Sequence, residues 1–304
     1  MTALCNSLKG RKMNKTLRLT FPQWQGADPA IMQPLVPELS QQDAAQGYFI
    51  GSQLLEWLAP ASKAAKATVP VSLDYTGEQV ATQQGIYAYP AVTAQLQAAL
   101  DIIKQHQPDR IVTLGGECSV SVAPFSYLAD KYQGDVAVVW IDAHPDLTLP
   151  NEGYVGYHAM ALSALAGKGD EQIIGKLPAF IEPKNAAIVG FRSYPADVER
   201  VEKFGVTKIS SASVNAKSDD VLAFLQATGK RKVLIHLDLD ALDPADLRTA
   251  VAADPDGIKV AAVSRLIGDI AQAYDLVGLT IAEPMPREVI KLRNLLHSLP
   301  LLGE

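Results

Sequence analysis

The chain has 304 residues, 48% of them hydrophobic and 20% charged, which is ordinary globular usage and excludes whole-chain disorder or a collagen-like repeat. Two cysteines, Cys5 and Cys118, are too few for a secreted disulfide scaffold, so a reducing cytoplasm is the expected compartment. The net charge of −6, without a basic tract, argues against nucleic-acid or anionic-membrane partners, and neither a long apolar run nor a secretory leader is evident.

Residues 1–14 read as a flexible N-terminal extension, with Met13 as an alternative start, and residues 15–304 as one domain. Short β-branched runs predict strands over Leu17–Pro22, Val69–Leu73, Arg110–Leu114, Val136–Ile141, Ala187–Phe191, Val233–Leu239 and Leu276–Ile281. The middle runs are continuously apolar, as expected of parallel strands buried on both faces. Amphipathic spacing predicts helices over Tyr89–Gln105, Val120–Tyr132, His158–Ala166, Ala196–Phe204, Asp219–Ala227, Val260–Tyr274 and Arg287–His297. This alternation predicts an α/β fold, a three-layer α/β/α sandwich around a mostly parallel sheet.

In such sheets ligands bind outside the carboxyl ends of the strands. The predicted strand ends carry Gly115-Gly116-Glu117-Cys118, Asp142-Ala143-His144-Pro145-Asp146, Asp238-Leu239-Asp240 and Glu283-Pro284-Met285-Pro286. Residues i, i+2 and i+4 of an extended chain face one side, so Asp142, His144 and Asp146 converge, as do Asp238 and Asp240. Five ligand-type residues, four of them carboxylates, favour a hard or borderline divalent cation such as Mn²⁺. Two cations would neutralise four carboxylates that otherwise repel in a low-dielectric cleft. Asp243-Pro244 reads as a turn or helix start. Phe21–Gly26 reads as a Pro/Gly turn with a packed Trp24, in preference to a pocket wall.

These blocks, in this order, resemble the arginase/agmatinase (ureohydrolase) family over nearly the whole chain, with Asp-Ala-His-x-Asp and Asp-x-Asp-x-x-Asp-Pro the most specific. The resemblance implies a two-manganese site bridged by Asp142 and Asp238. His144 and Asp240 would complete one ion, and Asp146 and residue 118 the other. It also implies a hydroxide between the ions that attacks a guanidinium carbon. Asp146 would pass its proton to the leaving amine, Glu283 would pair with the guanidinium group, and His158, twelve residues after Asp146, would shuttle protons.

Three departures stand out. Cys118 replaces the family's His. As a thiolate ligand it shifts the expected metal toward Zn²⁺ or another divalent cation, and it resembles the branch that hydrolyses N-omega-hydroxy-L-arginine to hydroxyurea. His236 replaces a small residue and reads as a neighbour of the ligands. Thr148 and Ser193 replace the Asn and Asp that grip the amino-acid end in arginases. Arg192 reads as a structural ion-pair partner, and His106 and His297 as helix-end residues.

The expected function is a binuclear manganese amidinohydrolase. It would hydrolyse a small-molecule guanidino substrate of the arginine or N-omega-hydroxyarginine type to urea or hydroxyurea plus an amine. No nucleic acid or membrane is expected as a partner, and homo-oligomer formation is left open. The alternatives are a catalytically silent metal-binding protein and a formimino or acyl-amine hydrolase on the same fold.

Overall fold

A computed structural model describes residues 14–192 and 195–304. Residues 1–13 of the expected extension, with Cys5 and Met13, lie outside the described residues, and so does Ser193. Among the described residues eight strands form one sheet: β1 (Thr16–Phe21), β2 (Ala65–Thr68), β3 (Arg110–Gly115), β4 (Val136–Ile141), β5 (Ala186–Val189), β6 (Thr207–Ile209), β7 (Lys232–Asp238) and β8 (Asp275–Ala282). Their order is β2-β1-β3-β8-β7-β4-β5-β6, and every pairing is parallel. All carboxyl ends therefore share one edge.

Both faces are buried, as the apolar runs require. Along β4, Val136, Val138 and Trp140 join one core with helices Tyr89–His106 and Val122–Lys131. Ala137, Val139 and Ile141 join the opposite core with helices Asp219–Thr228 and Val260–Ala273. This period-two division is the α/β/α sandwich. No helix of the described residues is long and apolar enough to cross a membrane.

Two sequence expectations are corrected. The second strand is Ala65–Thr68, not Val69–Leu73. It is an edge strand paired only with β1 and mostly exposed, so it lacks the apolar run a buried strand shows. Val69 donates one more bond to Thr20 O at 2.9 Å, and Pro70 has no N–H to continue. The helix expected over His158–Ala166 is a 3₁₀ turn, Tyr157–Met160, followed by helix Ala161–Leu165.

The long helix Gln41–Leu58 was not expected from periodicity, although Ser40 caps it by accepting from Asp43 N at 3.1 Å. Its glycines obscure the pattern, and they serve close packing. A Cβ on Gly51 would lie 1.6 Å from Pro284 O, and one on Gly47 would lie 2.4 Å from the end of the Met285 side chain. The helix thus supports the turn that carries Glu283. Gly51→Ala is expected to destabilise the protein by at least about 2 kcal/mol, because the obstacle is backbone rather than a side chain that can swing away. Chemical denaturation of the two proteins measures the difference.

Candidate active site

Four adjacent strands deliver the chemistry. β3 leads to Gly116-Glu117-Cys118, β8 to Glu283, β7 to Asp238 and Asp240, and β4 to Asp142, His144 and Asp146. The chain leaves β3 and next enters the sheet at β4, with β8 and β7 lying between them in space. That jump brings separate chain segments to one crevice.

Local hydrogen bonds aim the carboxylates. Asp142 accepts from His144 N at 2.6 Å and from Trp140 Nε1 at 2.9 Å. Asp238 accepts from Asp240 N at 2.7 Å through Oδ1, while its Oδ2 lies 2.9 Å from Cys118 Sγ. His144 Nδ1 is 2.9 Å from Asp240 Oδ2. Three sets of donors lie within 4.8 Å of one another: Asp142, His144 and Asp240; Cys118, Asp142, His236 and Asp238; and Cys118, His158 and Glu283. Asp146 is outside these sets. It lines the same cavity, and its buried Oδ2 has no hydrogen-bond partner among the described residues.

Asp146 (φ 49°) and Glu283 (φ 62°) both adopt left-handed backbone. The conformation is disfavoured for residues with a side chain, so the surroundings must hold it. The Asp146 carbonyl accepts from Leu162 N and Ser163 N at 2.9 and 3.1 Å, and Glu283 N donates to Gly116 O at 2.7 Å.

The site is short of positive charge. Burial pushes Asp142 up to about 6 and Glu283 up to about 8. Burial first, and neighbouring carboxylates second, hold Asp146 and Asp238 well above the usual carboxylate range. The same causes raise the Cys118 thiol. Burial also raises Asp240, but the His144 imidazole outweighs it and the net direction is down. Burial pulls His144 down, yet Asp240 and Asp142 hold it well above 6.5. A cluster of N, O and S donors that retains protons for lack of a counter-charge fits divalent cations, whose binding displaces those protons.

A cavity of about 360 Å³ opens above these groups. His158 stands on its wall, with Nδ1 3.4 Å from Glu283 Oε1 and Nε2 2.6 Å from Tyr154 OH. Burial lowers it to about 4, so it is neutral near pH 7. Thr148 lines the mouth, as does Arg200, which pairs with Glu152 at 2.8 Å and Asp197 at 3.2 Å. Ile31, Leu35 and Val251 form an apolar wall.

Other expectations fall as follows. Trp24 is fully buried and donates to Ser72 O at 2.9 Å, away from the cavity lining. Asp243 caps its own turn by accepting from Ala245 N at 3.0 Å. His106 ends its helix, and His297 lies in a last turn with Nε2 3.1 Å from Leu58 O. Arg192 is structural, but its hydrogen bonds run to the carbonyls of Gly190, Asp240 and Ala241 rather than to a carboxylate. It thereby fastens the turn after β7.

Trp140, Tyr154 and the buried Glu117 went unnoticed as site residues. Trp140 lies two residues before Asp142 on one strand, so the shared face was available as a signal. Glu117 is fully buried, accepts from Ser119 N at 2.8 Å and from Gln23 Nε2, and is raised by burial to about 7.

The fold is a parallel α/β sandwich that gathers candidate metal donors at the carboxyl edge of its sheet. The sequence pattern of the arginase family matches residues 57–291, and the chain belongs to that family. An arginase from Staphylococcus aureus is 28% identical over 142 residues, which is 44% of this chain and 47% of that protein. The chain thus spans about half the length of this curated relative. Among solved structures, Entamoeba histolytica arginase in complex with L-ornithine matches with a TM-score of 0.72 at 19% identity, covering 94% of this chain and 96% of that one. Native arginase from Bacillus caldovelox matches at 0.71 and 20% identity, covering 96% and 99%. At these identities the likeness is one of fold.

The raised acids give a stability prediction for the metal-free protein. Glu283 is held up from 4.5 to about 8, so its neutral form belongs to the folded state. That contribution is complete below the ordinary value and is lost as pH rises through the folded one. Glu117 acts in the same direction up to about 7. His158 and His236, held neutral by burial, act the other way below about pH 6.5, so metal-free protein should melt at progressively lower temperature from about pH 6.5 to about pH 8. A saturating divalent cation should remove most of that decline, as read by differential scanning calorimetry.

Proposed function

We propose that the protein hydrolyses a C–N bond of a linear guanidino compound of the arginine or N-omega-hydroxyarginine type, releasing urea or hydroxyurea and an amine. The observation that carries this reading is Glu283. Its carboxyl group is buried, held in a strained turn at the end of a central strand, and faces the donor cluster, where its one ion-pair contact among the described residues is with His158, which burial keeps neutral. A guanidinium group is the complement of such a carboxylate, and ionising Glu283 beside it restores the balance of charge.

The residues assigned to hold two divalent cations are Asp142, His144, Asp146, Asp238, Asp240 and Cys118. Manganese is the expected metal, and the Cys118 thiolate widens the choice toward zinc. When bound, the cations would supply Lewis acidity and let water furnish a nucleophile near neutral pH. Glu283 orients the planar guanidinium with its carbon toward the cluster. Asp146 takes the proton that water gives up and delivers it to the departing nitrogen, so that the amine leaves protonated. His158, neutral and hydrogen-bonded to Tyr154, passes protons between Glu283 and the cavity mouth. The apolar wall accommodates a methylene tail, and Thr148 and the Glu152–Arg200 pair face its polar end. The L-ornithine bound to the Entamoeba histolytica arginase supports an amino-acid tail.

Mass spectrometry of products from arginine, N-omega-hydroxyarginine, agmatine and guanidinobutyrate, with metal-loaded protein, tests the reading. Urea or hydroxyurea with the matching amine is the expected outcome. Asp146→Asn should lower kcat by at least about 100-fold, as loss of a positioned acid-base group does. Glu283→Gln should lower kcat/KM by about 100-fold while leaving the metal content unchanged. Full activity in both variants would remove these assignments.

A further inference from the structure

Two departures from the family pattern, Cys118 and His236, meet in space. β4 and β7 pair with Trp140 opposite His236, so the two rings are cross-strand neighbours. They stack at 3.7 Å between centroids and 8° between planes. Asp142 and Asp238 lie two residues further along the same strands and on the same face. The register therefore sets the imidazole directly behind two of the carboxylates.

The His236 ring is entirely buried and its orientation is fixed. Nδ1 lies 2.8 Å from Ser121 Oγ. Nε2 is buried without a hydrogen-bond partner among the described residues, and the nearest Asp142 oxygen is 4.0 Å away, too far for one. Burying a polar ring nitrogen with nothing to bind is costly, and an aliphatic residue would avoid the cost. With Nδ1–H donating to Ser121, Nε2 offers a lone pair. Its neighbours within 4.8 Å are ligand atoms of Cys118, Asp142 and Asp238.

We infer that His236 Nε2 is a metal ligand, and that Cys118, Asp142, His236 and Asp238 form one cation position with a mixed N, S and O donor set. That set suits a borderline cation of the zinc class, whereas Asp142, His144 and Asp240 form a position richer in oxygen that accepts manganese. The centre is then asymmetric, with its metals sorted by donor softness. Ser121 acts as the partner that orients a ligating imidazole. His158, the other imidazole near Cys118, already has Tyr154 OH at 2.6 Å and stands on the cavity wall. The inference rests on reading the cluster as a metal centre, as in the proposed function.

The test is metal binding by the full chain, independent of turnover. Zn²⁺ is added to one equivalent and examined by X-ray absorption. One sulfur and at least one imidazole in the same shell are expected. His236→Ser should lose an imidazole from that shell and weaken Zn²⁺ binding by at least about 100-fold, while Mn²⁺ binding at the second position, followed by electron paramagnetic resonance, persists. His236→Ser removes a ring stacked on Trp140 and can disturb the core. A second protein, His144→Ala/His158→Ala, therefore leaves His236 as the one imidazole of the cluster and should keep the sulfur-plus-imidazole shell. Sulfur without imidazole in that double variant, or an unchanged shell in folded His236→Ser, would overturn the inference. A chain that binds two ions without His236 defeats this inference alone. A chain that binds no ion defeats the metal-centre reading with it.

Discussion

The constraint on which the rest depends is electrostatic. Asp142, Asp146, Asp238, Asp240 and Glu283 are all buried at one edge of one sheet. Their charges cannot all persist together in a low-dielectric crevice without compensation. The protein manages them with local donors: the His144 and Asp240 amides, the Trp140 indole and the His144 ring. Those donors orient the oxygens but do not cancel the charge, which is why most of the acids are pushed upward. A cluster oriented so firmly and compensated so poorly is arranged for cations that arrive from outside.

The sheet explains how such a cluster can be held. All strands run parallel and both faces are covered, so the strand ends are anchored by two cores at once. The charges sit where backbone pairing stops and loops begin, and there the chain accepts strain. Asp146 and Glu283 take left-handed backbone only because their loops are fastened on both sides, one to the helix Ala161–Leu165 and the other to Gly116. Helix Gln41–Leu58 then closes on the second loop so tightly that glycine is required at the contact.

The sequence was most legible where a residue's role is local. β4 and β7 are largely apolar runs, so both strands could be read directly, whereas the acids around their ends are not placed by strand alternation alone: Asp240 lies in a 3₁₀ turn and Asp146 in left-handed backbone. Legibility failed where tertiary contact overrides local preference. The glycines of Gln41–Leu58 weaken a helical pattern for the sake of Pro284 and Met285, and the polar edge strand Ala65–Thr68 exists because β1 offers it a partner. Arg192 looked like an ion-pairing residue, but only the fold reveals that carbonyls surround it. His236 could be seen to depart from the family pattern. What it faces depends on the register of β4 against β7, which no single strand encodes.

The same electrostatics bear on the choice of substrate. With two divalent cations in place and Cys118 ionised, five carboxylates and a thiolate outnumber the cationic charge by two. A neutral amide entering the cavity would leave that excess as it stands and would leave Glu283 without a partner. A guanidinium group brings a delocalised positive charge and a planar set of N–H donors that a carboxylate can meet in two places. His158 cannot take that role, because burial keeps it neutral near pH 7. Charge balance, more than the shape of the cavity, therefore favours the guanidino class. The mouth acts on the tail in another way. Arg200 is already engaged by Glu152 and Asp197, so in the reaction we propose a substrate tail would meet Thr148, the neighbouring acids and the apolar wall before a free cation.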